Sequence, residues 1–187
     1  MTQLSATVDL AGAMQILQGL EHALKDLSPV FRGPIDALTT AAFFAQFETR
    51  GTRLNGAPWQ PLSPTTIALR TRVVRRGAVA RTTNRVGMAR AGFSAPLRNT
   101  NRLWASLVKS GGPESLRVIS PSTYQRGTRV SYAALHQTGF TITQMFGRPL
   151  KTPRKVPARP IVPPSLPADL IGSYEAAMAA YILEGKL

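Results

Sequence analysis

The side chains of this sequence that could do chemistry in numbers are its arginines. Arg70, Arg72, Arg75, Arg76, Arg81, Arg85 and Arg90 fall in a stretch with no acidic residue at all. A guanidinium pairs with phosphate or carboxylate through a planar fork of donors that lysine lacks. Unpaired like charges cannot be packed together in a core, so this stretch must face a polyanion, an acidic protein surface or open solvent. A solvated loop and a DNA-facing surface both fit the composition.

Catalytic chemistry finds much less to work with. There are two histidines, His22 and His136, and no cysteine, which excludes disulfides, thiolate metal sites and cysteine nucleophiles. His136 has no triad around it: nothing resembles a nucleophile elbow or a paired carboxylate site, and a hydrogen-bonded structural histidine is the expected role. The nine acidic residues lie mostly toward the two ends, and none falls between Gly51 and Gly112. A nuclease or muramidase needs clustered acids or histidines, so the sequence reads as non-enzymatic, with no cofactor and no metal.

The charge is unevenly divided. The net value is +14 over 187 residues; residues 1–50 carry three basic and five acidic side chains, 51–110 eleven and none, 111–160 eight and one, and 161–187 one and three. Mildly acidic ends therefore flank a strongly basic middle. Hydrophobic content of 43% against 17% charged residues is that of a globular chain long enough to bury a core. There is no apolar run of bilayer-spanning length, and Asp9 and Gly12 interrupt the early apolar stretch as a signal peptide would not. The chain reads as cytoplasmic.

The elements that must position these residues can be outlined from periodicity. Leu10, Met14, Leu17, Leu20, Leu24 and Leu27 recur at three- and four-residue steps and predict a helix over 8–27, with Asp9 as a cap and Ser28-Pro29 as its end. A second helix is expected over Ile35–Glu48, with Pro34 in its first turn and Ile35, Leu38, Phe43, Phe44 and Phe47 in the core. Turn formers around Asn55-Gly56 lead to Trp59, expected to be buried beside Leu62 and Ile67. Ser63-Pro64 then opens a short helix to about Arg70.

Residues 71–97 lack a sustained apolar period and predict a long basic loop, pinned at its far end by Phe93 and Leu97. Asn99 or Thr100 should cap a helix carrying Leu103, Trp104, Leu107 and Val108, which Gly111-Gly112-Pro113 closes. Strands are expected at Ser115–Ser120 and Thr128–Tyr132, joined by a turn over 121–127. A helical turn from Tyr132 to His136 should end at Gly139 and be followed by a strand over 140–146 and a basic turn over 147–154. Four prolines make Val156–Pro164 an extended arm at a sheet edge, suited to lying across a neighbour. Ser165 caps a final helix within 166–184.

Four spaced segments carry a resemblance: Gly56-Ala-Pro-Trp-Gln-Pro-Leu-Ser-Pro-Thr-Thr66 with Arg70, Leu97-Arg-Asn-Thr-Asn-Arg-Leu-Trp-Ala-Ser-Leu107, Tyr132-Ala-Ala-Leu-His-Gln-Thr-Gly139, and Val156-Pro-Ala-Arg-Pro160. In order and spacing they resemble the phage virion morphogenesis family, also called tail completion proteins, of Mu-type contractile-tailed phages. The likeness runs from about Phe47 to the C-terminus. Asn101 stands where the family pattern has glycine, and Trp104 where it has arginine.

The resemblance implies a structural virion protein of the neck that completes or terminates the tail and joins it to the head. It would be a subunit of a hexameric ring around the DNA channel, without catalysis. Implied partners are sister copies, tail tube and sheath proteins, head–tail adaptor or connector proteins, and the passing genome, contacted non-specifically. The location would be the virion, after assembly in the bacterial cytoplasm.

The expected fold is α+β: a small, mostly antiparallel sheet packed against N- and C-terminal helices, with the basic loop 71–97 and the proline-rich arm leaving it. Residues 1–50 would form a helical hairpin and 51–187 the tail-completion domain, with C-terminal helix 166–184, all in one structural unit. The arginines named above would face DNA or an acidic partner. Trp59, Leu62, Trp104, Tyr132, His136, Pro157, Arg159 and Pro160 would be subunit-interface or fold anchors. A free-standing, sequence-independent nucleic-acid-binding protein is the alternative. Against it, the basic stretch has few interleaved aromatics for base stacking and no helix-turn-helix or zinc pattern.

Overall fold

The structure is a computed structural model that describes residues 10–64, 66–67, 73–76, 79–82, 96–98, 100–109, 111–145 and 147–184. Its described helices are α1 (Leu10–Lys25), α2 (Ser28–Val30), a π turn (Phe31–Ile35), α3 (Asp36–Glu48), α4 (Thr52–Asn55), α5 (Arg102–Val108), α6 (Ala133–Thr138) and α7 (Ala168–Glu184). Its described strands are β1 (Val73–Arg76), β2 (Val79–Thr82), β3 (Ser115–Ser120), β4 (Thr123–Thr128), β5 (Phe140–Met145) and β6 (Arg148–Val156). The class is α+β, and the strands pair as three separate two-stranded sheets, β1 with β2, β3 with β4, and β5 with β6.

Two compact units share the chain without following its order. One contains residues 1–38, 117–125 and 168–187; the other contains 39–116 and 126–167. The division cuts through α3 and through the β3–β4 hairpin.

In the first unit the N- and C-terminal helices pack with one end of that hairpin. Val30, Phe31 and Ile35 are buried, and Leu27, Ile119, Tyr124, Tyr174, Ala177, Met178 and Tyr181 pack against them. Polar ties close the edges: the Tyr124 hydroxyl donates to Asp36 Oδ1 at 2.9 Å, Arg117 pairs with Asp36 at 3.1 Å, and the Tyr181 hydroxyl donates to the Asp26 carbonyl at 3.0 Å. Much of the leucine stripe on α1 is not covered. Met14, Ile16, Leu17 and Leu24 are all more than half exposed.

Several expectations are corrected. Ser28-Pro29 opens a helical stretch as well as following the end of α1, because a proline suits the first helical turn, where its missing N–H is not needed. Just before that turn, the Asp26 carboxylate accepts from the Ser28 N–H at 2.9 Å. The stretch begins seven residues before the predicted Ile35, so Pro34 lies inside it, and the backbone accommodates the ring by widening to a π turn. Phe44 faces outward at 46% exposure, whereas Phe43 and Phe47 are buried.

The second strand of the central hairpin is Thr123–Thr128, earlier than the predicted 128–132, because Pro121 and Ser122 suffice to turn the chain. The predicted basic turn over 147–154 is strand β6 paired with β5. Part of the predicted basic loop is the β1–β2 hairpin, with Val74 opposite Arg81, Arg75 opposite Ala80 and Arg76 opposite Val79. Backbone pairing needs no apolar period, and a loop reading based on that period missed it. The Asp9 cap, Arg70, Arg72, Arg85, Arg90, Phe93 and Asn99 lie outside the described residues.

Other expectations agree with the structure. Ser63 caps its turn, its Oγ accepting from the Thr66 N–H at 3.2 Å. α6 ends at Gly139, whose φ of 77° is a left-handed conformation that glycine tolerates. No described helix is long and apolar enough to cross a membrane.

Candidate functional site

The second unit contains a convergence of segments far apart in sequence, centred on the carbonyl of Pro160. Three side-chain donors meet that oxygen: Trp59 Nε1 at 2.7 Å, Asn55 Nδ2 at 2.7 Å and Gln46 Nε2 at 3.4 Å. Two of these donors are visibly held from behind. Gln46, fully buried, accepts the Leu54 N–H on its Oε1 at 2.7 Å, which orients its amide and joins α3 to α4.

Trp59 lies edge-on to Phe47, with ring centroids 5.6 Å apart, and its backbone N–H donates to the Arg50 carbonyl at 2.6 Å. The indole rests directly over Gly51, where a Cβ would stand 2.6 Å from Trp59 Cδ1. Only glycine meets both demands there, because its φ of 104° is itself left-handed.

Arg159 supplies the neighbouring part of the arrangement. It is only 4% exposed, and its guanidinium donates to two main-chain carbonyls, Gln60 at 3.0 Å and Pro61 at 3.2 Å. Burial holds its pKa below the ordinary arginine value, since removal from water disfavours the charged form. Its backbone N–H donates to the His136 carbonyl at 2.7 Å. Gln137 continues the seam: its Oε1 accepts from the N–H groups of Ile161 at 2.8 Å and Val162 at 3.2 Å. The ring of His136 stands between Tyr132 and Phe140, each centroid 5.8 Å away and edge-on.

The predicted anchors are thus partly united. Trp59, Tyr132, His136, Arg159 and Pro160 belong to one assembly, and Pro157 lines a depression of about 620 Å³ beside it with Gln60, Thr138, Phe140 and Lys155. Leu62 is half-buried.

Trp104 lies elsewhere, its ring flanked by Arg98 at 5.4 Å and Lys109 at 5.8 Å, with Arg98 also paired to Glu48 at 2.7 Å. Asn101, the family pattern's glycine position, takes a left-handed φ of 54°, which asparagine adopts more readily than most residues. Arg102, which follows, forms a two-pronged pair with Glu114.

Sequence reading missed Gln46, Asn55 and Gln137. Gln46 had a usable signal: it is a polar residue three positions from Phe43 and next to Phe47, on the stripe of α3 that is buried. Asn55 signals only a turn with Gly56. Of the seven predicted phosphate- or carboxylate-facing arginines, Arg75, Arg76 and Arg81 sit on the β1–β2 hairpin.

As chemistry, the assembly is a fastening. Neutral side-chain donors meet on one carbonyl, and two main-chain carbonyls accept from one guanidinium. Among the described residues, no group of three or more His, Cys, Asp or Glu side chains could hold a metal ion. No protein-family model, curated protein or solved structure matches this chain.

Proposed function

We propose that the chain is a structural, non-catalytic subunit of a phage neck, which completes the contractile tail and joins it to the head as part of a closed ring around the DNA channel. The observation that carries this reading is the meeting of three of the four segments on which the family resemblance rests. Trp59, the His136-Gln137 pair and Arg159-Pro160 bond to one another or to the same backbone. A motif set dispersed over about 100 positions acquires a common purpose if it holds a fold whose work is to present surfaces.

Sister copies, tail tube and sheath, and adaptor proteins are the partners on this reading. A head-to-tail contact that closes produces cyclic symmetry, and a six-fold ring would match the tail tube. The arginines of residues 70–90 would face DNA or acidic patches on those neighbours. Contact with passing DNA would be electrostatic, weak and indifferent to sequence, because a conduit must release the genome.

Negative-stain images of the purified protein, alone and with tail tubes, test the proposal. Closed rings, or density at the head-proximal tip of the tubes, are expected. A stable monomer that ignores tubes would defeat it, and tight, sequence-preferring DNA binding by that monomer would favour the free-standing binder instead.

A further inference from the structure

The β5–β6 ribbon has features that the ring reading does not use. Among the described residues it pairs with no third strand, and a two-stranded ribbon without further strands is marginal in water. From Gly139 to Pro167 the chain has no acidic residue, while Arg148, Lys151, Arg154 and Lys155 are all exposed on β6. Among the described residues none of the four forms an ion pair.

The ladder is also broken in an unusual way. Ile142 pairs with Arg154 and Gln144 with Pro149, so residues 150–153 of β6 stand opposite Thr143 alone. Pro153 has no N–H to give to a ladder, which accounts for the departure at that point. The bulge shapes a hollow of about 500 Å³ lined by Pro149, Leu150, Lys151, Thr152 and Arg154. Bulges of this kind redirect side chains. Here the result is two cations around a concavity, with a third and a fourth on the flanking ladder positions. At its base the ribbon is tied firmly, since the backbone N–H of Arg159 is bonded to the carbonyl of His136.

We infer that the β5–β6 ribbon is a docking surface for the phosphate backbone of double-stranded DNA, with the bulge hollow receiving a phosphate between Lys151 and Arg154. A two-stranded ribbon has the width of the DNA major groove. Its exposed uncharged polar residues, Thr141, Thr143, Gln144 and Thr152, suit phosphate oxygens, and among the described residues it presents no run of exposed aromatics of the kind on which single strands stack. An acidic protein surface is the competing partner, but a run of cations along a narrow ribbon matches a linear polyanion better than a broad folded face. The inference rests on the proposed neck role only for where the DNA lies, and it assigns the contact to a strand pair separate from residues 70–90.

The test uses the full-length chain and fluorescently labelled duplexes of two unrelated sequences, titrated in rising sodium chloride. The variant carries Arg148→Gln, Lys151→Gln, Arg154→Gln and Lys155→Gln, with far-ultraviolet circular dichroism to check the fold and Lys151→Glu alone as a lighter change. Both sequences should bind alike. The quadruple variant should bind at least 10-fold more weakly, and its log–log salt slope should fall by about 0.9 for each phosphate that the ribbon no longer neutralises.

An unchanged slope overturns the inference. So does equal DNA binding by parent and variant when only the parent binds poly-glutamate, which would identify an acidic protein partner. Saturable binding of inorganic phosphate by a parent that ignores duplex would overturn it too. Ring assembly is followed separately by sedimentation: absence of rings together with the expected slope change defeats the neck reading alone, and intact rings with the slope unchanged defeat this inference alone.

Discussion

The indole N–H of Trp59 reaches the carbonyl of Pro160 at 2.7 Å across 101 positions of chain. That bond fastens the proline-rich arm to the loop after α4, and it makes the arm part of the second unit's own core. Removing the donor while keeping an aromatic ring, Trp59→Phe, should cost about 1 kcal/mol, and Trp59→Ala about 3–5 kcal/mol. Urea denaturation measures both. If the phenylalanine variant matches the parent, the bond contributes nothing and Asn55 satisfies the carbonyl by itself.

Gly51 and Gly56 make a matched pair for separating backbone strain from crowding. Both have left-handed φ values, 104° and 70°, but a Cβ at Gly56 meets nothing within 4 Å, whereas one at Gly51 collides with the Trp59 indole. Gly56→Ala should therefore cost about 1–2 kcal/mol of strain. Gly51→Ala should cost about 1–3 kcal/mol beyond that, because the tryptophan must move. Thermal melts of the two variants decide it, and equal losses would mean that the indole yields without resistance.

Arg159→Lys keeps the charge and removes the fork. A single ammonium cannot reproduce the two donations to Gln60 and Pro61, so at least one part-buried carbonyl loses its charged donor. The expected loss is about 2 kcal/mol or more. A lysine variant as stable as the parent, measured by the same denaturation, would show that the guanidinium geometry is unimportant.

Acid should weaken the second unit through Glu114. Its carboxyl is held below the ordinary value of 4.5 chiefly by its hydrogen-bonded pair with Arg102, so the folded form binds protons less readily than the unfolded form. The stabilisation from that pair is thus complete above pH 4.5 and fades as pH falls through the lowered folded value. The difference in melting temperature between the parent and Glu114→Gln should be greatest near neutrality and shrink with acidification to about pH 3. A difference that stays constant over that range would mean the pair does not couple to folding.

How legible each feature was follows from the range of the interactions behind it. α5 and α6 were foreseen because apolar spacing acts within a turn or two of chain, although the N-cap of α5 is Asn101 and not the predicted Asn99 or Thr100, and Gly139 marks a stop at a positive φ. Strands β1, β2 and β6 were not foreseen. β1 and β2 are too short to show an apolar period and β6 is rich in arginine, lysine and proline, and a hairpin can form there by pairing backbone groups. Of the fastening around Pro160, the sequence pointed to Trp59, Arg159 and the proline itself. The partners Gln46 and Asn55 stayed hidden because an amide side chain looks the same whether it meets water or a carbonyl 114 or 105 residues away.

By its order of residues alone, the chain settles its α+β character, its basic middle, its lack of thiols and the places where most helices stop, since each of these depends on composition or on near neighbours. Which carbonyl is fastened by which donor, which cations stand together on one ribbon, and how residues 1–38 share a unit with 117–125 and 168–187 were decided only in three dimensions. Those outcomes depend on closing long loops, whose entropic cost is repaid only when buried donors and acceptors find one another.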